Sequence, residues 1–296
     1  MDTLDRPATV GADLRRALDG LRAILLDLDG VIVAAGELVP GAAEAIAMLD
    51  RRGFPYRIVT NTSAVSRDTL AIWSARLGAP IPASRFESAL SASAAWTARA
   101  FPAAPLYVLA SEDARREFAG QRLLTHAEAD RPGATAAAVV IGDSPDEATY
   151  DNLNRAFRLV RGGARLVGMH RNPWWLTADG PTLDSGAFLA GLEFAAQTRA
   201  TVIGKPSPMF FAMGVADLRR EVGRDLARHH IAMVGDDVRT DIRAAQRAGL
   251  RGIFVLTGKH GRDDVEAAAA ERGGPRPDAI TASLHEVVTA LVTALD

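Results

Sequence analysis

Two kinds of hydrophobic spacing alternate along the chain. Short unbroken apolar runs, such as Ala23-Ile-Leu-Leu26, Ile231-Ala-Met-Val-Gly235 and Gly252-Ile-Phe-Val-Leu256, mark strands buried on both faces of a parallel sheet. Between them lie helical segments punctuated by proline near the start or glycine past the end, as from Pro40 to Gly53. A peripheral lead-in over residues 1–20, with a short helix around Ala12 to Leu18, precedes the first strand. A second strand is expected over Pro55 to Thr60, followed by helices from Arg67 to Leu77 and from Arg85 to Ala100. The pattern then changes. Apolar strands at Leu106–Leu109, Ala137–Ile141 and Arg165–Gly168 alternate with helices at Asp113–Phe118 and Thr149–Arg161, broken by prolines. A hairpin turning at Asp179-Gly180 and a helix from Asp184 to about Gln197 complete this small α/β unit.

From Thr201 the earlier pattern returns. A short strand reaches Lys205, and a helix begins near Ser207. A strand from Ile231 to the acidic pair Asp236-Asp237 leads into a helix that runs through Asp241 and Arg247 to Gly249. A strand at 252–256, a helix around Asp263–Arg272, and a last strand–helix pair at Ala279-Ile280 and Leu284–Leu295 close the chain. The whole predicts an α/β protein: a Rossmann-like, doubly wound parallel-sheet core at 1–101 and 200–296, interrupted by an insertion at 102–199.

Composition narrows the function only by exclusion. The 296 residues carry 48% hydrophobic and 24% charged residues, an ordinary globular balance that fits two domains. A net charge of −2 gives no electrostatic reason to expect nucleic acid or an anionic membrane as partner. No apolar run is long enough to span a bilayer, and Met1-Asp-Thr-Leu-Asp5 lacks the basic start and apolar segment of a signal peptide. The absence of cysteine removes disulfides, thiolate nucleophiles and cysteine-bound metals, and a cytoplasmic location is expected. Lysine is the oddity. Of 34 basic residues only Lys205 and Lys259 are lysine, and only Lys205 has an evident local reason, at the end of a core strand.

The chemistry gathers at strand ends, where open α/β sheets bind their ligands. In order they carry Asp27 with Asp29, Thr60 with Asn61, Lys205, and Asp236 with Asp237. In an extended chain residues two apart point the same way, so Asp27 and Asp29 are expected to share one pocket, with Gly30 turning the backbone away. Carboxylate oxygens with no cysteine select a hard cation, Mg²⁺. A hydroxyl, backbone amides and an ammonium beside it suit a phosphoryl group. Neither a Walker loop nor a Gly-x-Gly-x-x-Gly fingerprint is present, so a carboxylate is expected as nucleophile and a second as acid and base.

Together Asp27-Leu-Asp-Gly30, Thr60, Lys205 and Gly235-Asp-Asp-x-x-x-Asp241 resemble the four motifs of the haloacid dehalogenase superfamily. The long insertion, Val59-Thr-Asn61, Gly204-Lys-Pro-Ser-Pro208 and Val255-Leu-Thr-Gly-Lys259 resemble its class IIA phosphatases: the NagD-like, 4-nitrophenylphosphatase-like and phospholysine/phosphohistidine phosphatase-like branches. That resemblance implies an inserted α/β cap of the C2 type over residues 102–199. It also implies Asp27 as a nucleophile forming an aspartyl phosphate, Asp29 as general acid and base, and Lys205 bridging nucleophile and phosphate. Thr60, Asn61 and Thr62 would meet the phosphoryl group or substrate; Thr62 stands where many members carry a second asparagine. Mg²⁺ would be held by Asp27, the carbonyl of Asp29 and Asp236, with Asp237 and Asp241 behind them orienting ligands or waters.

The insertion is expected to choose the leaving group. His170 and Arg171, with Asn172, Trp174 and Trp175 beside them, are its substrate-binding candidates, although a buried structural histidine and core or interface tryptophans fit the same string. The expected partner is a small-molecule phosphate ester or phosphoramidate, and a homodimer through the cap stays open. Two rival readings use the same residues: a phosphotransferase or mutase on the same scaffold, and a non-catalytic receiver-type phosphoacceptor module.

Overall fold

The computed structural model describes residues 11–177 and 180–295. They form two compact units, one from 11–56 with 218–295 and the other from 57–217.

The first unit contains four parallel strands in the order Ala279–Thr281, Arg251–Val255, Ile231–Gly235, Ala23–Leu26. Ala23 pairs with Ile231 and Leu26 with Val234, so these two strands finish side by side. Every residue of both is buried, as their unbroken apolar runs require. Each buried leucine or isoleucine there stabilises the sheet by about 1.5–3 kcal/mol. Helices Ala42–Arg51 and Leu284–Leu295 pack on each other, and the helix Ala12–Leu18 packs on Leu284–Leu295. The expected single helix after Asp237 divides. Val238–Arg243 is a π-helical turn in which the Ile242 N–H donates to the Asp237 carbonyl, and regular helix resumes over Ala244–Arg247. Such wide turns re-aim side chains, here that of Asp241.

The second unit holds a four-stranded parallel sheet in the order Thr201–Val202, Arg165–Gly168, Ala138–Ile141, Leu106–Leu109. The helix Tyr150–Arg161 starts where the Thr149 side chain accepts from the Asn152 N–H, and it buries Ala156, Leu159 and Val160 in this unit's core. Two expectations change here. Thr201–Val202 belongs to the edge of this sheet, paired with Val167 and Gly168, rather than to a sheet with Ala23–Leu26. The helix expected from Arg85 starts only at Ala89, because Phe86–Ser88 is a strand paired with Ile58–Thr60 and Ser88 caps the helix that follows. Three residues are too few for a period to show. Trp174–Thr177 and Gly180–Leu183 form the expected antiparallel hairpin, while Asp179 of its turn lies outside the described residues.

Candidate functional site

Two groups of polar side chains are built at strand ends, one in each unit. In the first unit Asp27 follows the strand Ala23–Leu26. Its N–H still donates to the Val234 carbonyl at 2.9 Å, and its Oδ1 accepts from the Leu28 N–H at 2.7 Å. The chain then turns at Gly30, whose φ of +76° lies in the left-handed region. Any Cβ there would overlap the Asp236 carboxylate, so glycine is required by both conformation and space. Gly258 meets the same carboxylate from the loop after Arg251–Val255, where a Cβ would again overlap. The Lys259 N–H donates to Asp236 Oδ2 at 2.9 Å, and Thr257 Oγ1 donates to the Gly30 carbonyl at 2.5 Å. Asp236 is thus clasped between two glycines and an amide.

Asp27, Asp236 and Asp241 each offer a carboxylate oxygen, and the three oxygens lie within 4.8 Å of one another. All three residues are buried, Asp241 completely. An octahedral Mg²⁺ with oxygens at about 2.1 Å separates its ligands by about 3–4 Å, so a small inward movement closes the trio around an ion. Hard oxygen donors and buried negative charge fit a divalent cation. Asp237 and Asp241, both expected behind the ligands, have different surroundings. Asp241 stands with Asp27 and Asp236, its Oδ2 accepting from the Asp237 N–H at 3.1 Å. Asp237 faces elsewhere: its Oδ1 accepts from the Arg239 and Thr240 N–H groups at 2.8 and 2.9 Å, and its Oδ2 meets Lys259 Nζ at 2.7 Å. Burial works to raise the Asp237 pKa, but the Lys259 charge and these hydrogen bonds reverse that and hold the carboxyl far below the usual carboxylate range. Asp29, two residues after Asp27, is exposed. Lys259 is the residue that sequence reasoning left without a role; the scarcity of lysine that singled out Lys205 applied to it equally.

The strand Tyr56–Thr60, which lies in the second unit from Arg57 onward, ends in a turn. The Thr60 hydroxyl accepts from the Thr62 N–H at 3.1 Å and lies 2.9 Å from the Thr62 hydroxyl. Asn61 Nδ2 donates to the Lys205 carbonyl at 3.1 Å and to Asn172 Oδ1 at 3.4 Å, which brings Thr60, Asn61, Thr62 and Lys205 into one neighbourhood. Lys205 is buried.

His170 is 2% exposed, with Nε2 2.9 Å from Ser63 Oγ, 3.2 Å from Ser185 Oγ and 3.5 Å from Asp184 Oδ1. Its Nδ1 accepts from the Asn172 N–H at 3.3 Å, which leaves the proton of the neutral ring on Nε2. Burial depresses its pKa to about 4, with a smaller opposing pull from Asp143. The ring is a neutral buttress beneath the turn, occupied on both nitrogens. Arg171 grips Glu193 with both guanidinium nitrogens, at 3.0 Å for one and in closer contact for the other. Trp174 and Trp175 are exposed, at 57% and 47%, so neither lies in this unit's core.

Residues 24–123 match the haloacid dehalogenase-like hydrolase family, and residues 202–287 match a second family described as HAD-hydrolase-like. The chain is 34% identical over 263 residues to haloacid dehalogenase-like hydrolase domain-containing protein 2 of Mus musculus, covering 89% of this chain and 92% of that protein. It is 32% identical over 250 residues to the phospholysine phosphohistidine inorganic pyrophosphate phosphatase of Homo sapiens, covering 82% and 86%. Among solved structures, NagD from E. coli K-12 superposes with a TM-score of 0.77 at 26% identity, over 90% of this chain and 98% of that one.

Proposed function

The chain belongs to the haloacid dehalogenase-like hydrolase family, among its class IIA phosphatases, and from that premise we propose a Mg²⁺-dependent hydrolysis of a small phosphate ester or phosphoramidate through an aspartyl phosphate. The observation that carries this reading is the buried trio Asp27, Asp236 and Asp241 at the ends of two adjacent parallel strands. In this reading Mg²⁺ would be held by Asp27, Asp236 and the Asp29 carbonyl, with Asp241 beside them. When bound, the ion would neutralise the trio and the negative charge of the phosphoryl oxygens.

Asp27, fixed by the Leu28 N–H, presents a carboxylate oxygen to phosphorus and displaces the leaving oxygen or nitrogen, which takes the proton of Asp29. Asp29 then removes a proton from water, and the resulting attack on phosphorus releases inorganic phosphate and restores Asp27. Asp29 gives one proton to the leaving group and recovers one from the attacking water in each cycle, and its exposure leaves it within reach of both. Thr60, Asn61, Thr62 and Lys205 are assigned to the phosphoryl oxygens, on the strength of the family resemblance and of their common neighbourhood. Residues 102–199 act as a cap that chooses the leaving group. The relatives named for phospholysine, phosphohistidine and pyrophosphate support a compact phosphorylated substrate. A cytoplasmic site of action accords with a chain that has no cysteine.

A screen of phosphorylated metabolites and aminophosphates, measuring released phosphate with Mg²⁺ and with chelator, tests the proposal. Mg²⁺-dependent release from at least one compound is expected; no release from any of them, or release that chelator does not affect, overturns it. Adding a sugar acceptor separates hydrolysis from transfer, since a transferase lowers free phosphate when the acceptor is present.

A further inference from the structure

The loop Thr257-Gly258-Lys259 touches three parts of the acidic group at once. Thr257 holds the carbonyl of Gly30, Gly258 packs on Asp236, and Lys259 spends its backbone N–H on Asp236 and its ammonium on Asp237. Asp236 and Asp237 are neighbours in sequence, both buried, yet their carboxylates have opposite fates. One joins the trio with Asp27 and Asp241; the other is turned to a lysine. Asp237 Oδ1 is taken by two backbone amides, which no side-chain change removes. Its Oδ2 is held by Lys259 Nζ at 2.7 Å, and His260 Nδ1 lies 3.9 Å from Oδ1.

We propose that Lys259 is a positioning residue of the metal centre: its ammonium keeps Asp237 out of the ligand set and offsets one of the four buried carboxylate charges, which weakens and thereby tunes the hold on a divalent ion. The proposal rests on the reading of Asp27, Asp236 and the Asp29 carbonyl as the metal ligands, with the Asp241 carboxylate beside them. A fourth carboxylate turned inward would bind the ion more tightly and slow its exchange; a cation beside it opposes both effects. The Lys259 side chain is 62% exposed, so solvent and salt limit the effect to about three- to tenfold in affinity.

The test is a calorimetric Mg²⁺ titration of the full chain, with the Mg²⁺-induced rise in melting temperature as a second readout. Lys259→Met is expected to bind Mg²⁺ about three- to tenfold more tightly than the parent, Asp237→Asn to bind it more weakly by a similar factor, and Lys259→Arg to match the parent. The double variant Lys259→Met with Asp237→Asn should return near the parent, because it removes one charge of each sign. A purely structural role for Lys259 would lower the metal-free melting temperature without tightening the ion. Unchanged or weaker binding by Lys259→Met overturns the proposal. Should that variant fail to fold, unchanged or tighter binding by Asp237→Asn does the same. A parent that binds Mg²⁺ and releases phosphate while Lys259→Met titrates like it sinks this inference alone. A parent that binds no Mg²⁺ sinks the metal reading and this inference with it.

Discussion

Asp237 in the first unit and Asp184 in the second are both buried, and both accept backbone N–H groups, yet burial has opposite outcomes for them. Asp237 has the Lys259 ammonium against it and is held ionised. Asp184 faces the neutral ring of His170, and desolvation pushes its pKa up despite bonds from Ser185 and Asn172. Nearby Asp143 is raised for the same reason, with the Asp184 charge adding to it. A buried carboxylate is therefore not in itself a sign of a metal or of catalysis. The partner decides. Where a cation stands opposite, charge is kept and a divalent ion can use the neighbours; where a neutral histidine stands opposite, the group works as a hydrogen-bonded brace.

The comparison is tested hardest at Asp27. Asp27→Asn keeps the shape of the first group and removes the attacking oxygen. Turnover should fall by about four powers of ten or more, with circular dichroism and melting temperature close to the parent. Activity near the parent level would show that the trio is a brace as well.

His170 tests the other side. Its folded pKa of about 4 lies below the ordinary value near 6.5, so the unfolded chain takes up a proton first as pH falls. The His170 share of stability is flat above about pH 7, and about 1–2 kcal/mol is lost on going to pH 5. Asp143 and Asp184, raised in the fold, act in the opposite direction, so the parent must be compared with His170→Gln across this range. His170→Gln should cost about 1–3 kcal/mol at pH 7 and show a shallower fall to pH 5. An equal loss of unfolding free energy from pH 7 to pH 5 in the parent and in His170→Gln, read from denaturant titrations, would break the contrast between the groups.

The smallest effects belong to the rim of the second unit. Arg171→Ala strips Glu193 of a two-pronged partner and should cost about 1–2 kcal/mol in stability. Trp174→Ala removes an exposed ring and should leave melting within about 0.5 kcal/mol of the parent. If residues 170–175 select substrates, Trp174→Ala reorders kcat/KM among phosphorylated compounds while a small generic ester is hydrolysed as before; a uniform loss would assign the ring to closure or folding.

Much of this was legible in the chain itself. The runs Ala23–Leu26 and Ile231–Gly235 announced buried strands, and the acidic residues right after them announced a strand-end site, because both signals depend on spacing within a few residues. Gly30 was expected as the turn, and its φ of +76° agrees. Local pattern failed where the decisive contact came from far along the chain. Phe86–Ser88 was too short to declare itself until it paired with Ile58–Thr60, and Thr201–Val202 reads as a strand without saying which sheet it joins.

Sequence by itself determined which residues could do chemistry: the carboxylates after two apolar strands, the hydroxyl turn at Thr60, and two lysines in a chain of arginines. Only the tertiary structure decided how they divide. Asp236 and Asp237 are adjacent and chemically identical, and the one local difference is that Asp237 caps the following turn through the Arg239 and Thr240 N–H groups. The rest of their difference comes from a loop some twenty residues downstream, which places Gly258 against one and the Lys259 ammonium against the other. Asp241 joins Asp27 because a π-helical turn re-aims it toward a strand that lies more than two hundred residues earlier in the chain. A contact of that span is made by the packing of the sheet, and spacing along the chain does not encode it.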